Sequence, residues 1–233
     1  MQMAADERSD QEGGQATGIG AVFPRWANYV VPAAILGIIG GVPYLFVLVG
    51  FGAAPTTTDV GYQPHQPVAF SHRHHVSQLG IDCRYCHSTV EESAFAGIPA
   101  TEVCMGCHSH VWTEAEELAP VRESYRTGEP ITWRRVHNLA GFTYFDHSAH
   151  VNQGVACTEC HGEVHRMPLV WQAESLLMPW CLDCHRNPEE GVRPRDRVFD
   201  HEWEPEGDPV ELGRRLVDEY DIQPGVDCSA CHR

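Results

Sequence analysis

Ten cysteines fall into five Cys-x-x-Cys pairs, and each pair is followed at once by a histidine. The sets are Cys83/Cys86 with His87, Cys104/Cys107 with His108, Cys157/Cys160 with His161, Cys181/Cys184 with His185, and Cys228/Cys231 with His232. No cysteine is left over. This pattern constrains the chain more than its length of 233 residues, which alone fits one or two domains. Cys-x-x-Cys-His reads as c-type haem attachment. Two thiols three residues apart can add across the two vinyl groups of one macrocycle, and the adjacent histidine is then held beneath the iron as an axial ligand. A zinc ribbon or a disulfide framework would not require histidine directly after every second cysteine. The spacing implies five covalently bound haem c groups, with the ten cysteines as attachment points and His87, His108, His161, His185 and His232 as proximal ligands.

An internal repeat lies upstream of two motifs. Phe70-x-His72-x-x-His75-Val76 precedes Gly80-Ile81 and Cys83, and Phe145-x-His147-x-x-His150-Val151 precedes Gly154-Val155 and Cys157. The gap from the second histidine to the first cysteine is one residue longer in the first copy. Each copy is followed by a further motif, at Cys104 and at Cys181. The region therefore reads as two dihaem units, 67–125 and 137–190, with a fifth haem near 228–233.

Fifteen histidines less the five proximal ones leave ten for the distal positions. Electron transfer favours a second strong ligand and no open site. His72, His75, His147 and His150 are best placed, because i, i+3 spacing puts each pair on one helical face or turn, able to reach two neighbouring irons. His137 is the fifth candidate, and these five would make every haem bis-histidine. His165 and His201 are alternatives. So are Met167 and Met178, whose thioethers would raise the potential of the haem they served; a buried methionine near a haem is more often packing.

The fold expected from this is mostly irregular with short α-helices. From residue 53 onward about 180 residues serve five haems, roughly 36 each, too few for an ordinary core around each group. The macrocycles must supply much of the buried apolar surface. Segments 113–126 and 208–220 are the best helix candidates away from the motifs. The first opens with Thr113 as N-cap and Glu116 three residues on, and Pro120 is expected to break it. The second opens with Asp208-Pro209, a cap followed by a first-turn proline.

Residues 27–52 carry no charge, and a helix of that length at roughly 1.5 Å per residue spans a ~30 Å hydrocarbon core. Trp26 and Tyr29 read as interfacial anchors. The stretch is long for a signal h-region, and the residues before it are acidic, which favours an uncleaved anchor over a cleaved leader. The expected organisation is a cytoplasmic tail 1–25, a transmembrane anchor 26–52, a linker 53–66 and a pentahaem domain 67–233. Haem c is attached outside the cytoplasm in bacteria, so that domain is expected on the periplasmic side of the inner membrane. A net charge of −16 excludes a nucleic-acid partner, which would need a basic face. All sixteen basic residues are arginine, suited to bidentate pairing with haem propionates. With no lysine present, the Cys-x-x-Cys-Lys site of multihaem nitrite reductases is unavailable.

The Phe-x-His-x-x-His element before a haem motif resembles class III multihaem cytochromes. The longer stretches FSHRHHVSQLGIDCRYCHSTVEESAFAGIPATEVCMGCH, RVHNLAGFTYFDHSAHVNQGVACTECHGEVHRMPLVWQAESLLMPWCLDCHRNP and the terminal CSACHR together resemble the pentahaem subunit of alternative complex III, a bacterial quinol-oxidising respiratory complex. The resemblance covers roughly residues 67–233. It implies an electron-transfer subunit that makes and breaks no substrate bond and passes electrons to a periplasmic acceptor. It also implies partners: multi-spanning subunits with the quinol site, a molybdopterin and iron–sulfur-like subunit, and a monohaem cytochrome c. The competing expectation is a self-contained, membrane-anchored multihaem quinol dehydrogenase that feeds a periplasmic reductase. A five-coordinate haem enzyme is the other class, and ten spare histidines argue against it.

Overall fold

The computed structural model describes residues 24–52 and 58–232. The expected tail falls almost wholly outside these residues, as do positions 53–57 and Arg233. The chain divides into two compact units, Met1–Phe51 and Gly52–Arg233.

In the first unit a 3-10 turn, Arg25–Tyr29, runs directly into helix α1, Val30–Gly52. Together they form a continuous helical segment of 28 residues, long and apolar enough to cross a membrane. No side chain of α1 is buried, and Pro43 lies within it.

The second unit is helical and irregular, with no strand among the described residues; an isolated bridge pairs Val155 with Val192. Each Cys-x-x-Cys-His motif forms a short helix: α2 Cys83–Cys86, α3 Thr101–His108, α6 Cys157–His161, α7 Met178–Arg186 and α9 Cys228–Cys231. Local chemistry starts them. Asp82 accepts from Arg84 N at 2.8 Å, Asp227 from Ser229 N at 3.0 Å, and Pro179 sits in the first turn of α7.

Pro120 behaves differently from the expectation. It starts a helix instead of breaking one: α4 runs Ala119–Thr127 with Pro120 in its first turn, after a 3-10 turn Glu116–Leu118. A first-turn proline lacks only an N–H that has no intrahelical partner there. Left-handed Gly128 ends α4. Helix α8, Pro209–Glu219, follows its expected start, with the Asp208 carboxylate accepting from Val210 N at 2.9 Å.

The two repeat copies dispose of their unequal lengths in an instructive way. His147–Val151 is an α-helix, α5, whereas the matching stretch Arg73–Gln78 is a π-helix. A π-turn is one residue wider than an α-turn, so it absorbs the extra residue of the first copy. Leu79 N accordingly reaches back five residues to His74 O, at 3.2 Å.

Residues 88–96, just after the first motif, dock on α5. Ser148 N donates to Ser93 O at 3.2 Å and Asn152 Nδ2 to Glu91 O at 2.9 Å. Val90, Val151 and Val198 form a buried cluster with Ala96 and Phe199 packed against it. Part of the expected linker is also held in place. Gly61 N donates to Gln172 O, Gln172 N to Tyr62 O, and buried Gln172 donates through Nε2 to Thr58 O and Glu174 O.

Candidate haem-binding site

Among the described residues no three or more His, Cys, Asp or Glu side chains converge as a cage for a bare ion would require. Imidazoles instead face one another in pairs. The ring centroids of His72 and His87 are 6.4 Å apart, His75 and His108 6.2 Å, His147 and His161 6.3 Å, and His150 and His185 6.1 Å. Two imidazoles that bind one metal from opposite sides, at about 2 Å per bond, place their centroids roughly 6 Å apart. The same separation therefore recurs four times, each time between a motif histidine and a repeat histidine. Each repeat thus supplies two neighbouring motifs, its first histidine facing the first motif and its second the next. The planes differ: 1° for His72/His87 and 11° for His147/His161, but 39° for His150/His185 and 66° for His75/His108.

The other ring nitrogen of most of these histidines is tied to backbone. Nδ1 donates to Gly97 O from His87 at 2.7 Å, to Val111 O from His108 at 3.1 Å, to Gly225 O from His185 at 2.8 Å, and to Phe142 O from His232 at 3.1 Å. On the facing side His75 donates to Ser71 O at 2.9 Å, His147 to Ala94 O at 2.8 Å and His150 to Asp146 O at 2.7 Å. Such bonds fix the tautomer and leave Nε2 as the free lone pair for a metal. Two differ: His72 Nδ1 is buried and unpartnered, and His161 Nδ1 meets His137 Nε2.

Burial favours the neutral form, the one that ligates, in His72, His75, His150 and His161. Desolvation, then the His87 and His75 charges, holds His72 down at about 4. Desolvation and neighbouring histidines, His137 first, hold His161 at about 3. His75 and His150 are lowered by the same cause.

One phenylalanine braces each repeat pair. Phe70 meets His72 edge-on at 4.9 Å and stacks on His75 at 4.4 Å; Phe145 does the same to His147 at 4.8 Å and His150 at 4.4 Å. The signal in the sequence is the repeated Phe, two residues before the first histidine of each copy.

The fifth motif differs. Among the described residues no second imidazole faces His232, whose ring lies 5.6 Å from Phe142. His137, expected on an iron, sits with its Nε2 3.3 Å from His161 Nδ1. His165 is buried with neither ring nitrogen bonded and stacks at 4.2 Å on His201. Met167 is fully buried, whereas Met178 is exposed at the start of α7. His74 bonds Gln78 through Nδ1 and stacks on Trp112.

The ten cysteines are free thiols. Their neighbours give the order of the attachment sites. Cys86 of the first motif feels the charge of Cys104 of the second. Cys83 and Cys157 line one small cavity side by side, which joins the first motif to the third. Cys160 neighbours Cys184 and Cys181 of the fourth motif, and Cys181 neighbours Cys231 of the fifth. His185 Nδ1 donates to Gly225 O, three residues before the fifth motif, at 2.8 Å and secures that last step. Pairwise proximity thus links the motifs in the order second, first, third, fourth, fifth.

These residues fit haem c. Paired thiols on a single helical turn, a histidine directly after them and a facing imidazole at the right separation are all present in four of five motifs. The fifth supplies the thiols and the proximal histidine. Exposed apolar side chains flank the motifs, among them Tyr85, Trp112, Met178 and Val226, where clipped macrocycles would cover them.

Comparison with known proteins agrees. Residues 143–233 match the family described as cytochrome c7 and related cytochrome c. The multihaem cytochrome c subunit of a menaquinone reductase from Nitratidesulfovibrio vulgaris (strain Hildenborough) is 38% identical over 100 residues. That match covers 42% of this chain and 47% of the relative, so the chain spans about half the length of the curated relative it matches.

Proposed function

We propose that this chain is the multihaem electron-transfer subunit of a membrane respiratory complex, exchanging electrons between the quinone pool and a periplasmic redox partner. The observation that carries this reading is the set of four facing imidazole pairs at 6.1–6.4 Å. A bis-histidine iron has no open position for substrate, and a haem so ligated carries single electrons. We assign attachment to Cys83, Cys86, Cys104, Cys107, Cys157, Cys160, Cys181, Cys184, Cys228 and Cys231, for five haem c. His87, His108, His161, His185 and His232 are the proximal ligands, and His72, His75, His147 and His150 the distal ligands of the first four sites.

The protein's own contribution is to hold each imidazole still. Backbone carbonyls orient the rings through Nδ1, and Phe70 and Phe145 brace them. The neighbouring cysteines keep successive sites close, which places the second and fifth motifs at the two ends. The apolar helix Arg25–Gly52 anchors the chain in the bacterial inner membrane, with the haem domain in the periplasm. The expected partners are multi-spanning quinone-site subunits, a molybdopterin and iron–sulfur-like subunit and a monohaem cytochrome c. The resemblance over 67–233 supports quinol oxidation in a complex like alternative complex III. The matched relative, a subunit of a menaquinone reductase, supports the opposite direction, reduction of menaquinone.

Gentle solubilisation of native membranes, a haem-stained native gel and quinone-linked assays of the haem band test this. A large band with several membrane subunits and quinol-to-cytochrome c activity supports the first direction. The same band reducing menaquinone from a periplasmic donor supports the second. A band holding this chain alone, yet oxidising quinol, overturns the subunit reading in favour of a self-contained dehydrogenase.

A further inference from the structure

The two distal histidines of each repeat copy meet their partners at different angles. The first histidine of each copy lies nearly parallel to the motif histidine it faces, 1° for His72 and His87 and 11° for His147 and His161. The second lies tilted, 66° for His75 and His108 and 39° for His150 and His185. The contrast appears twice, although one copy is a π-helix and the other an α-helix. Contacts inside each copy hold it. Phe70 stands 86° from the His72 plane but 22° from that of His75, and Phe145 stands 88° from His147 but 26° from His150. The two distal rings of a copy are therefore set steeply to each other. The second histidine also gives Nδ1–H to the carbonyl four residues back, Ser71 O at 2.9 Å and Asp146 O at 2.7 Å, which pins its plane to its own helical turn. The first histidine has no such tie: His147 reaches Ala94 O in another segment, and His72 Nδ1 is unpartnered. Along the proximity order second, first, third, fourth, the sites read tilted, near-parallel, near-parallel, tilted. The near-parallel two meet where Cys83 and Cys157 share a cavity wall.

We propose that a histidine's place in its repeat copy sets the electronic class of the haem it serves: His72 and His147 make near-parallel sites at the first and third motifs, His75 and His150 make tilted sites at the second and fourth, and the tilted sites fill with electrons first. This rests on the reading that these four motifs carry bis-histidine haem. The physical basis is orbital overlap. Each imidazole donates π density to the iron d orbital that lies across its own plane. Parallel rings load the same orbital and split it from its twin, whereas crossed rings load both alike. The splitting stabilises the ferric ion, which has one vacancy in that pair of orbitals. Tilting removes this advantage and raises the potential relative to a parallel pair, with ligand orientation as the protein's lever. Of these four sites, the flanking second and fourth then hold the first two electrons, with the near-parallel pair between them. A chain that exchanges with a two-electron quinone would thus store its two electrons on sites that do not adjoin.

Low-temperature EPR of the intact holoprotein and its distal-histidine variants tests this. Haem mass and spin state are measured first on the unaltered protein; fewer than four low-spin haems there sinks the bis-histidine reading itself. With that reading intact, the oxidised protein is expected to show two rhombic low-spin signals from near-parallel rings and two more anisotropic ones from tilted rings. The second haem should lie furthest to low field and the fourth next. His72→Ala and His147→Ala should each remove a rhombic signal, and His75→Ala and His150→Ala an anisotropic one. In a graded reduction the anisotropic signals should fade before the rhombic ones. Four signals of one class would overturn the proposal, as would loss of an anisotropic signal in H147A or of a rhombic one in H150A. Rhombic signals that fade first would overturn the filling order. If an alanine variant fails to mature, the methionine variant at the same position keeps a sixth ligand and answers the same question by which signal it moves.

Discussion

At the scale of single residues, ligation is a matter of which nitrogen each ring leaves free. The motif histidines announce themselves through the cysteines before them. The four repeat histidines were legible too, because i, i+3 spacing inside a duplicated element suggests two imidazoles serving two irons. Their partners were not legible. Nothing in the sequence says that His147 Nδ1 will reach Ala94 O, 53 residues away, or that His137 will meet His161. Those pairings depend on how separate loops pack, which local pattern does not encode. The assignment gives a direct expectation for His72, His75, His147 and His150. Replacing any one with alanine should leave all five haems covalently attached by mass, while one haem in five turns high-spin and becomes able to bind carbon monoxide. Retention of five low-spin haems in such a variant would remove that residue from the ligand set.

Elements here are short because the haem motifs set their length. A Cys-x-x-Cys-His turn needs about one helical turn to present two thiols and a ring on one side, and four-residue helices such as Cys83–Cys86 do that. Helices at the motifs and at 208–220 could be read from the chain. The π-turn at Arg73–Gln78 could have been inferred only by noticing that one repeat is a residue longer. Pro120 reads as a breaker in sequence and starts α4 in the structure, because a proline's effect depends on its position in the helix. The packing of α8 was hidden altogether. A Cβ at Gly213 would overlap the Glu189 carbonyl, so α8 lies directly on the turn Pro188–Glu190 that follows the fourth motif. Glycine in a helix interior costs about 1 kcal/mol relative to alanine, so Gly213→Ala would ordinarily stabilise. Here overpacking against backbone costs about 1–3 kcal/mol and wins. Thermal unfolding of the holoprotein should show G213A destabilised by about 1–2 kcal/mol, and a stabilised variant would mean that α8 stands off from that turn.

For the whole molecule, few apolar side chains are buried among the described residues, and the joint between the segment after the first motif and the second repeat copy is small: Val90 and Val151 with Val198, bordered by hydrogen bonds from α5 to residues 91–94. The same joint brings Cys83 to Cys157. The order second, first, third, fourth, fifth therefore differs from the order along the chain, since the first copy is entered at its first motif. Sequence lists the motifs but does not order them, because the reversal arises where the copies dock. The central claim is that the sites are closed, bis-histidine electron carriers. Near-infrared magnetic circular dichroism of the oxidised holoprotein tests it most directly, because bis-histidine and histidine–methionine haems absorb there at different energies and high-spin haems differ from both. At least four of five haems should carry the bis-histidine signature. Two or more haems that are high-spin or methionine-bound would contradict the account, since at least one of them would have to sit at a facing imidazole pair.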